Sequence, residues 1–128
     1  MNFKNYCKTY FTDIISNHFF DFKGRTNRKV FWLFSLNVLI LNLILSYIIH
    51  KFDFIGIIAG IVFSLFMFFP TLSLDVRRLH DVGFSGWWVL IFFIPLFGFI
   101  ALIVFACIPG TQGENKYGPV PADTNITE

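Results

Sequence analysis

The stretch VFWLFSLNVLILNLILSYII (Val30–Ile49), then HKFD (His50–Asp53), then FIGIIAGIVFSLFMFFPTLSL (Phe54–Leu74) decides the fold. Runs of 20 and 21 residues without a charge flank a link of four. One Lys, Arg or Asp at the centre of a bilayer-spanning helix costs about 2.5–3.5 kcal/mol, so charge-free runs of this length mark spanning segments. At about 1.5 Å rise per residue each run is about 30 Å long, the thickness of the hydrocarbon core. The short link makes the pair a tight antiparallel hairpin. A third interval lies between Asp81 and Glu114, and its apolar part, Trp87 to Ile108, has 22 residues. The expected fold is an all-α integral membrane protein: three transmembrane helices (about 30–49, 54–74 and 87–108) in a small bundle, preceded by an N-terminal amphipathic helix.

Composition agrees. The 128 residues are 55% hydrophobic and 14% charged, against about 25% charged in an average soluble domain. Nineteen Phe against four Tyr and three Trp favour an aromatic that needs no hydrogen-bond partner in a dry environment. The same numbers argue against a water-soluble monomer and exclude a disordered chain. The first strong apolar run begins only at Val30 and ends without a small-residue cleavage site, so it reads as a retained anchor, not as a signal peptide.

Lys and Arg set the orientation. With three crossings, the N-terminal segment and the second loop share a side and hold eight basic residues against two elsewhere. The N-terminus is expected in the cytoplasm and the tail outside; a re-entrant third segment would return the tail to the cytoplasm. Cys7 and Cys107 then lie apart, and both read as small apolar residues.

The segments divide into a cytoplasmic amphipathic and basic stretch (1–29), the transmembrane domain (30–108) with a charged hairpin (75–86), and a turn-rich tail (109–128). In the first, Phe3, Cys7, Tyr10, Phe11, Ile14 and His18 recur at helical spacing, suited either to lie on the membrane or to cap the bundle. Ser35, Asn42 and Ser46 share a face of the first spanning helix. Gly56, Gly60 and Ser64 stand four residues apart and offer a flat helix-packing face, for another helix of the chain or for a second copy. Pro70 is expected to kink the second helix, and Pro95 with Gly98 to kink or break the third. Trp87 and Trp88 suit an interfacial belt.

The densest polar group is Asp75-Val-Arg77-Arg78-Leu-His80-Asp81-Val-Gly83-Phe-Ser85-Gly86-Trp87-Trp88. On a continuing helix Asp75 would pair with Arg78 and Arg77 with Asp81. Arg77-Arg78-Leu79-His80-Asp81 with Gly83 and Ser85-Gly86-Trp87-Trp88 resembles the signature of the bacterial inner-membrane family called domain of unknown function 805. Two further stretches are similar to that family: Phe22-Lys-Gly24-Arg25 with Arg28 and Phe31-Trp32, and Pro109-Gly110-Thr111 with Gly113, Asn115, Tyr117-Gly118-Pro119 and Pro121. The resemblance runs from about Phe20 to Pro121. It implies a multi-pass protein of the bacterial inner (plasma) membrane with no assigned biochemical role, and supplies no catalytic residue.

Function is therefore sought among Arg25, Arg28, Arg77, Arg78, His80 and Asp81. Paired arginines match phosphate oxygens, and basic groups near anionic lipid gain about 1 kcal/mol each. The expected role is non-enzymatic: binding of anionic lipid headgroups, or of a membrane-protein partner or second copy, through the cytoplasmic hairpin. The alternative is a membrane-embedded enzyme or a component of an oligomeric channel or transporter. Adjacent His80 and Asp81 diverge by about 100° on a helix and form no evident dyad. The spanning segments hold no ionisable group for an ion path. Scattered histidines give no metal site, no cofactor motif occurs, and a net charge of +2 gives nucleic acid no footprint.

Overall fold

The computed structural model of the chain describes residues 2–121; the last seven residues of the expected tail, 122–128, lie outside the described residues. Asn2 starts the first helix, its side chain accepting from the Asn5 N–H at 2.9 Å. Helix α1 (Phe3–Cys7) passes through a π-helical turn (Lys8–Thr12) into α2 (Asp13–Asn17). Tyr10 and Ile14 are buried, Phe11 stacks on Phe34, and Asn37 Nδ2 donates to the Tyr6 hydroxyl at 3.0 Å. The N-terminal helix thus packs back on the following helices.

Helix α3 (Arg28–Asp81) is capped by Asn27, whose side chain accepts from the Val30 N–H at 2.9 Å. Among the described residues, its 54 make it the helix long and apolar enough to cross a membrane. At Asp53 the backbone leaves the helical region, with φ 47° and ψ −121°. That residue folds α3 into two arms, 28–52 and 54–81. Glycine lets them meet: a Cβ on Gly56 would stand 2.6 Å from the Ile49 Cα, and one on Gly60 2.7 Å from the Ile49 side chain. Helical dihedrals run on through the buried Pro70.

Ile14, Phe31, Phe34, Met67, Leu74 and Ala106 form the main core. A second core of Val76, Leu79 and Val89 lies beyond it. Leu39, Leu43, Tyr47, Ile55, Ile61, Val62 and Leu65, by contrast, are exposed along the arms, an apolar outer face that water would penalise and lipid would not.

The third segment differs from expectation. In place of one helix over 87–108 there is a 3-10 helix (Gly86–Phe93), a reversal at Ile94, Pro95 and Leu96, and then α4 (Phe97–Cys107). The physical reason lies at the break: Pro95 cannot continue a helical ladder, Leu96 adopts φ 67°, and Gly98 sits so close to the Phe92 carbonyl that a Cβ would collide with it. Four backbone N–H groups at the turn are nonetheless bonded: Ile94 N–H donates to Ile91, Phe97 to Pro95, Gly98 to Ile94 and Ile100 to Leu96. At about 2.0 Å per 3-10 residue and 1.5 Å per α-helical residue, each piece is about 16 Å long, half a hydrocarbon core. The phenylalanines near the two mouths, Phe84 and Phe105, meet edge to face at 5.0 Å.

The tail also meets the N-terminal segment: Arg25 donates to the carbonyls of Thr111 at 2.5 Å and Gly113 at 2.8 Å. The tail and the basic linker before α3 therefore lie at the same end of the molecule.

Replacing Gly56 with Val forces the arms apart at Ile49. Overpacking of this kind costs about 1–3 kcal/mol. Thermal unfolding of the detergent-solubilised protein should shift downward for Gly56→Val, while Ala59→Val, next to that contact, should leave it nearly unchanged.

A candidate functional site around Asp81

Asp81 ends the second arm, and its carboxylate is shared. Arg25 Nε donates to Oδ1 at 3.0 Å, and Arg78 Nη1, one helical turn back, donates to Oδ2. The three side chains are 1 to 5% exposed. Charges this deeply buried persist only when paired and hydrogen-bonded, and every guanidinium nitrogen of the two arginines is indeed bonded. Arg78 reaches the carbonyls of Phe105, Thr26 and Ile108 at 3.1, 3.1 and 2.5 Å. Arg25 adds the Gly118 carbonyl at 3.2 Å to its bonds with Thr111 and Gly113.

The last carbonyls of a helix have no partner within it. Around α4 they are taken one after another by α3: Phe105 by Arg78, Ala106 by Trp32 Nε1 at 3.1 Å, and Cys107 by Arg28 at 3.2 Å. Two of these donors are cations at the negative end of the helix dipole. The chain then closes on Asp81, whose carbonyl accepts from the Thr111 N–H. Only glycine fits at 110, because a Cβ there would overlap the Asp81 carboxylate.

His80 faces the other way. Its Nδ1–H donates to the Gly24 carbonyl at 2.9 Å, and its ring lies on Tyr117 with centroids 3.9 Å apart and planes 2° from parallel. Asn115 Nδ2 donates to the His80 carbonyl at 3.0 Å. Among the described residues His80 and Asp81 share no side-chain hydrogen bond.

The pairing expected from helical spacing is redistributed. Arg77, expected on Asp81, is buried with Nε and Nη2 unbonded, and the nearby charges acting on it are Asp21 and Asp13. Asp21 in turn accepts from His18 Nδ1 at 2.7 Å and from the Lys23 N–H at 3.0 Å. Burial opposes its ionisation, but these bonds hold its carboxyl below the ordinary carboxylate range. Asp75, expected on Arg78, instead borders an apolar cavity with Phe68, Leu72 and Phe92. Arg25, which sequence spacing could not place, took the vacant side of Asp81 from 56 residues away.

The six expected residues are thus not one open patch. Arg25, Arg78 and Asp81 form a closed centre, Arg28 stands at its exposed edge beside Lys29, and Arg77 and His80 point elsewhere. Gly24, Thr26, Gly110 and Tyr117 belong to the same assembly and were not singled out as site residues. The turn-rich stretch from Pro109 to Pro119 was the signal available for the tail members. Among the described residues no group of three or more His, Cys, Asp or Glu could hold a metal ion.

The family model described as "Protein of unknown function (DUF805)" matches residues 19–119. "Inner membrane protein YhaI" of Escherichia coli K12 is 39% identical over 114 residues, covering 84% of this chain and 91% of that protein. "Inner membrane protein YhaH" of the same strain is 35% identical over 116 residues, covering 84% and 92%. No solved structure matches the chain.

Removing the shared carboxylate leaves two buried guanidinium groups uncompensated, at a cost of about 3–5 kcal/mol. Asp81→Asn should therefore destabilise the detergent-solubilised protein more than Arg25→Ala, and the Arg25→Ala, Asp81→Asn double variant should fall well short of the sum in a double-mutant cycle. Additive losses would show that the two groups do not act together.

Proposed function

The chain belongs to the family described as protein of unknown function (DUF805), and we propose that, like its relatives named inner membrane proteins, it is a multi-pass protein of the bacterial inner membrane. The arms 30–49 and 54–74 cross the bilayer. Residues 86–107 enter it from the cytoplasmic face and return, so that the N-terminal segment, the Asp81 centre and the tail all stand in the cytoplasm. What supports this topology is the pair of half-length pieces around Pro95, whose two mouths converge on Asp81. The count of basic residues supports the same side: the tail's Lys116 joins the cytoplasmic set and leaves Lys51 alone opposite.

Its role in this reading is non-enzymatic: the cytoplasmic end binds anionic lipid headgroups. The observation that carries it is that Lys23, Arg28 and Lys29 stay exposed where the apolar arm begins, at the depth where basic groups meet lipid phosphate. Arg25, Arg78 and Asp81 serve by holding that edge in shape, because their donors and acceptors are already engaged. Arg77 contributes charge from within. A shallow cavity of about 340 Å³ beside Arg28, walled by Thr111, Gln112 and Pro121, gives a headgroup a seat.

Two measurements check this. Reporters fused in turn to the N- and C-termini should both read cytoplasmic; a periplasmic C-terminal reporter would restore the third crossing. Native mass spectrometry from mild detergent should find phosphatidylglycerol retained, with retention weakened by about 1 kcal/mol for each basic residue removed in Lys23→Ala, Arg28→Ala and Lys29→Ala. Equal retention by the triple variant would sink the headgroup role.

A further inference from the structure

Between the second arm and the 3-10 helix lies a cavity of about 440 Å³ that the basic edge does not use. Its wall is apolar, formed by Leu72, Val76 and Val89, with Phe22 and Trp87 at the rim. Its lining also holds two polar side chains, His80 and Ser85, and Gly86, next to Ser85, lies against the His80 ring. His80 is 6% exposed, and its ring cannot turn: Nδ1–H is committed to the Gly24 carbonyl and one face to Tyr117. Nε2 has no hydrogen-bond partner among the described residues and faces the gap left by Gly86, where an added Cβ would stand 3.3 Å from it. In the neutral ring, with the proton on Nδ1, Nε2 is an acceptor. The Ser85 hydroxyl accepts the Trp87 N–H at 3.4 Å, which leaves its own O–H free to donate.

We propose that this cavity binds an amphiphile whose polar end is an uncharged hydroxyl, donating to His80 Nε2 and accepting from Ser85. A hydroxyl is the small group that both donates and accepts, and the cavity offers one of each. No Lys or Arg lines it, so it has no counter-charge for a phosphate and differs from the headgroup seat at Arg28. From Leu72 to His80 the arm rises about 12 Å, from within the apolar stretch to its polar end. That is the span from the upper acyl chain of a lipid to its polar end, and the volume falls within the range of small-molecule sites. The site rests on the membrane topology proposed above.

The test uses the full chain in phosphatidylcholine nanodiscs with a diacylglycerol carrying a diazirine near the glycerol. Cross-links should map to residues 72–89. Unlabelled diacylglycerol should compete about tenfold better than its O-methyl ether, as the loss of one buried hydrogen bond of about 1.4 kcal/mol requires. Leu72→Trp, which fills the cavity, and His80→Phe, which removes the acceptor, should each cut labelling about tenfold. Thermal unfolding identifies a variant that has not folded; if His80→Phe fails this check, Leu72→Trp decides. Labelling unchanged by Leu72→Trp, equal competition by the ether, or stronger competition by phosphatidylglycerol would overturn the proposal. The terminal reporters described above read the topology premise separately: cytoplasmic readings at both ends with no selective labelling would overturn the cavity site and leave the topology standing.

Discussion

One carboxylate holds the polar end of this molecule together. Asp81 stands between two guanidinium groups, one from its own helix and one from the linker before α3. In water such pairs contribute little, but burial raises the stakes in both directions. Without the carboxylate the two arginines would repel each other in a space that solvent does not reach. With it they become fixed forks whose other tines grip carbonyls of the linker, of the end of α4 and of the tail. The linker, second arm and α4 all meet at this centre, beside the apolar clusters that pack the arms and α4 together.

The hairpin of α3 was legible because its cause is local. Two runs without charge and a four-residue link leave little choice, and the glycines at 56 and 60 mark where a backbone comes close. The third segment was not legible in the same way. Twenty-two apolar residues satisfy a length criterion whether they cross once or go halfway and return, since hydropathy has no direction. What distinguishes the two outcomes is the backbone at Pro95, Leu96 and Gly98. Proline and glycine in a spanning helix are common enough that their presence signals a break without fixing its angle.

The charged cluster was legible in its members and not in its partners. Helical spacing names who is near whom along one helix, and on that basis Asp81 belonged to Arg77. The partner it took in addition to Arg78 lies in a different segment, and no periodicity relates Arg25 to it. The tail shows the same limit. Its glycines and prolines announced turns, but that Gly110 makes room for a carboxylate, or that Tyr117 supplies a face for His80, depends on chain that folds back from a distance.

The carbonyl caps of α4 bear on how the molecule is made. Synthesis runs from the N-terminus, so the arms of α3 are complete while residues 105 to 118 have yet to leave the ribosome. During that interval Arg25 and Arg78 lack most of their carbonyl acceptors, and water must serve in their place. The buried contacts of the polar end are therefore completed only once the segment after Pro95 delivers its carbonyls. Closure is a late event in biogenesis, and it depends on the part of the chain that hydropathy alone reads as one more crossing.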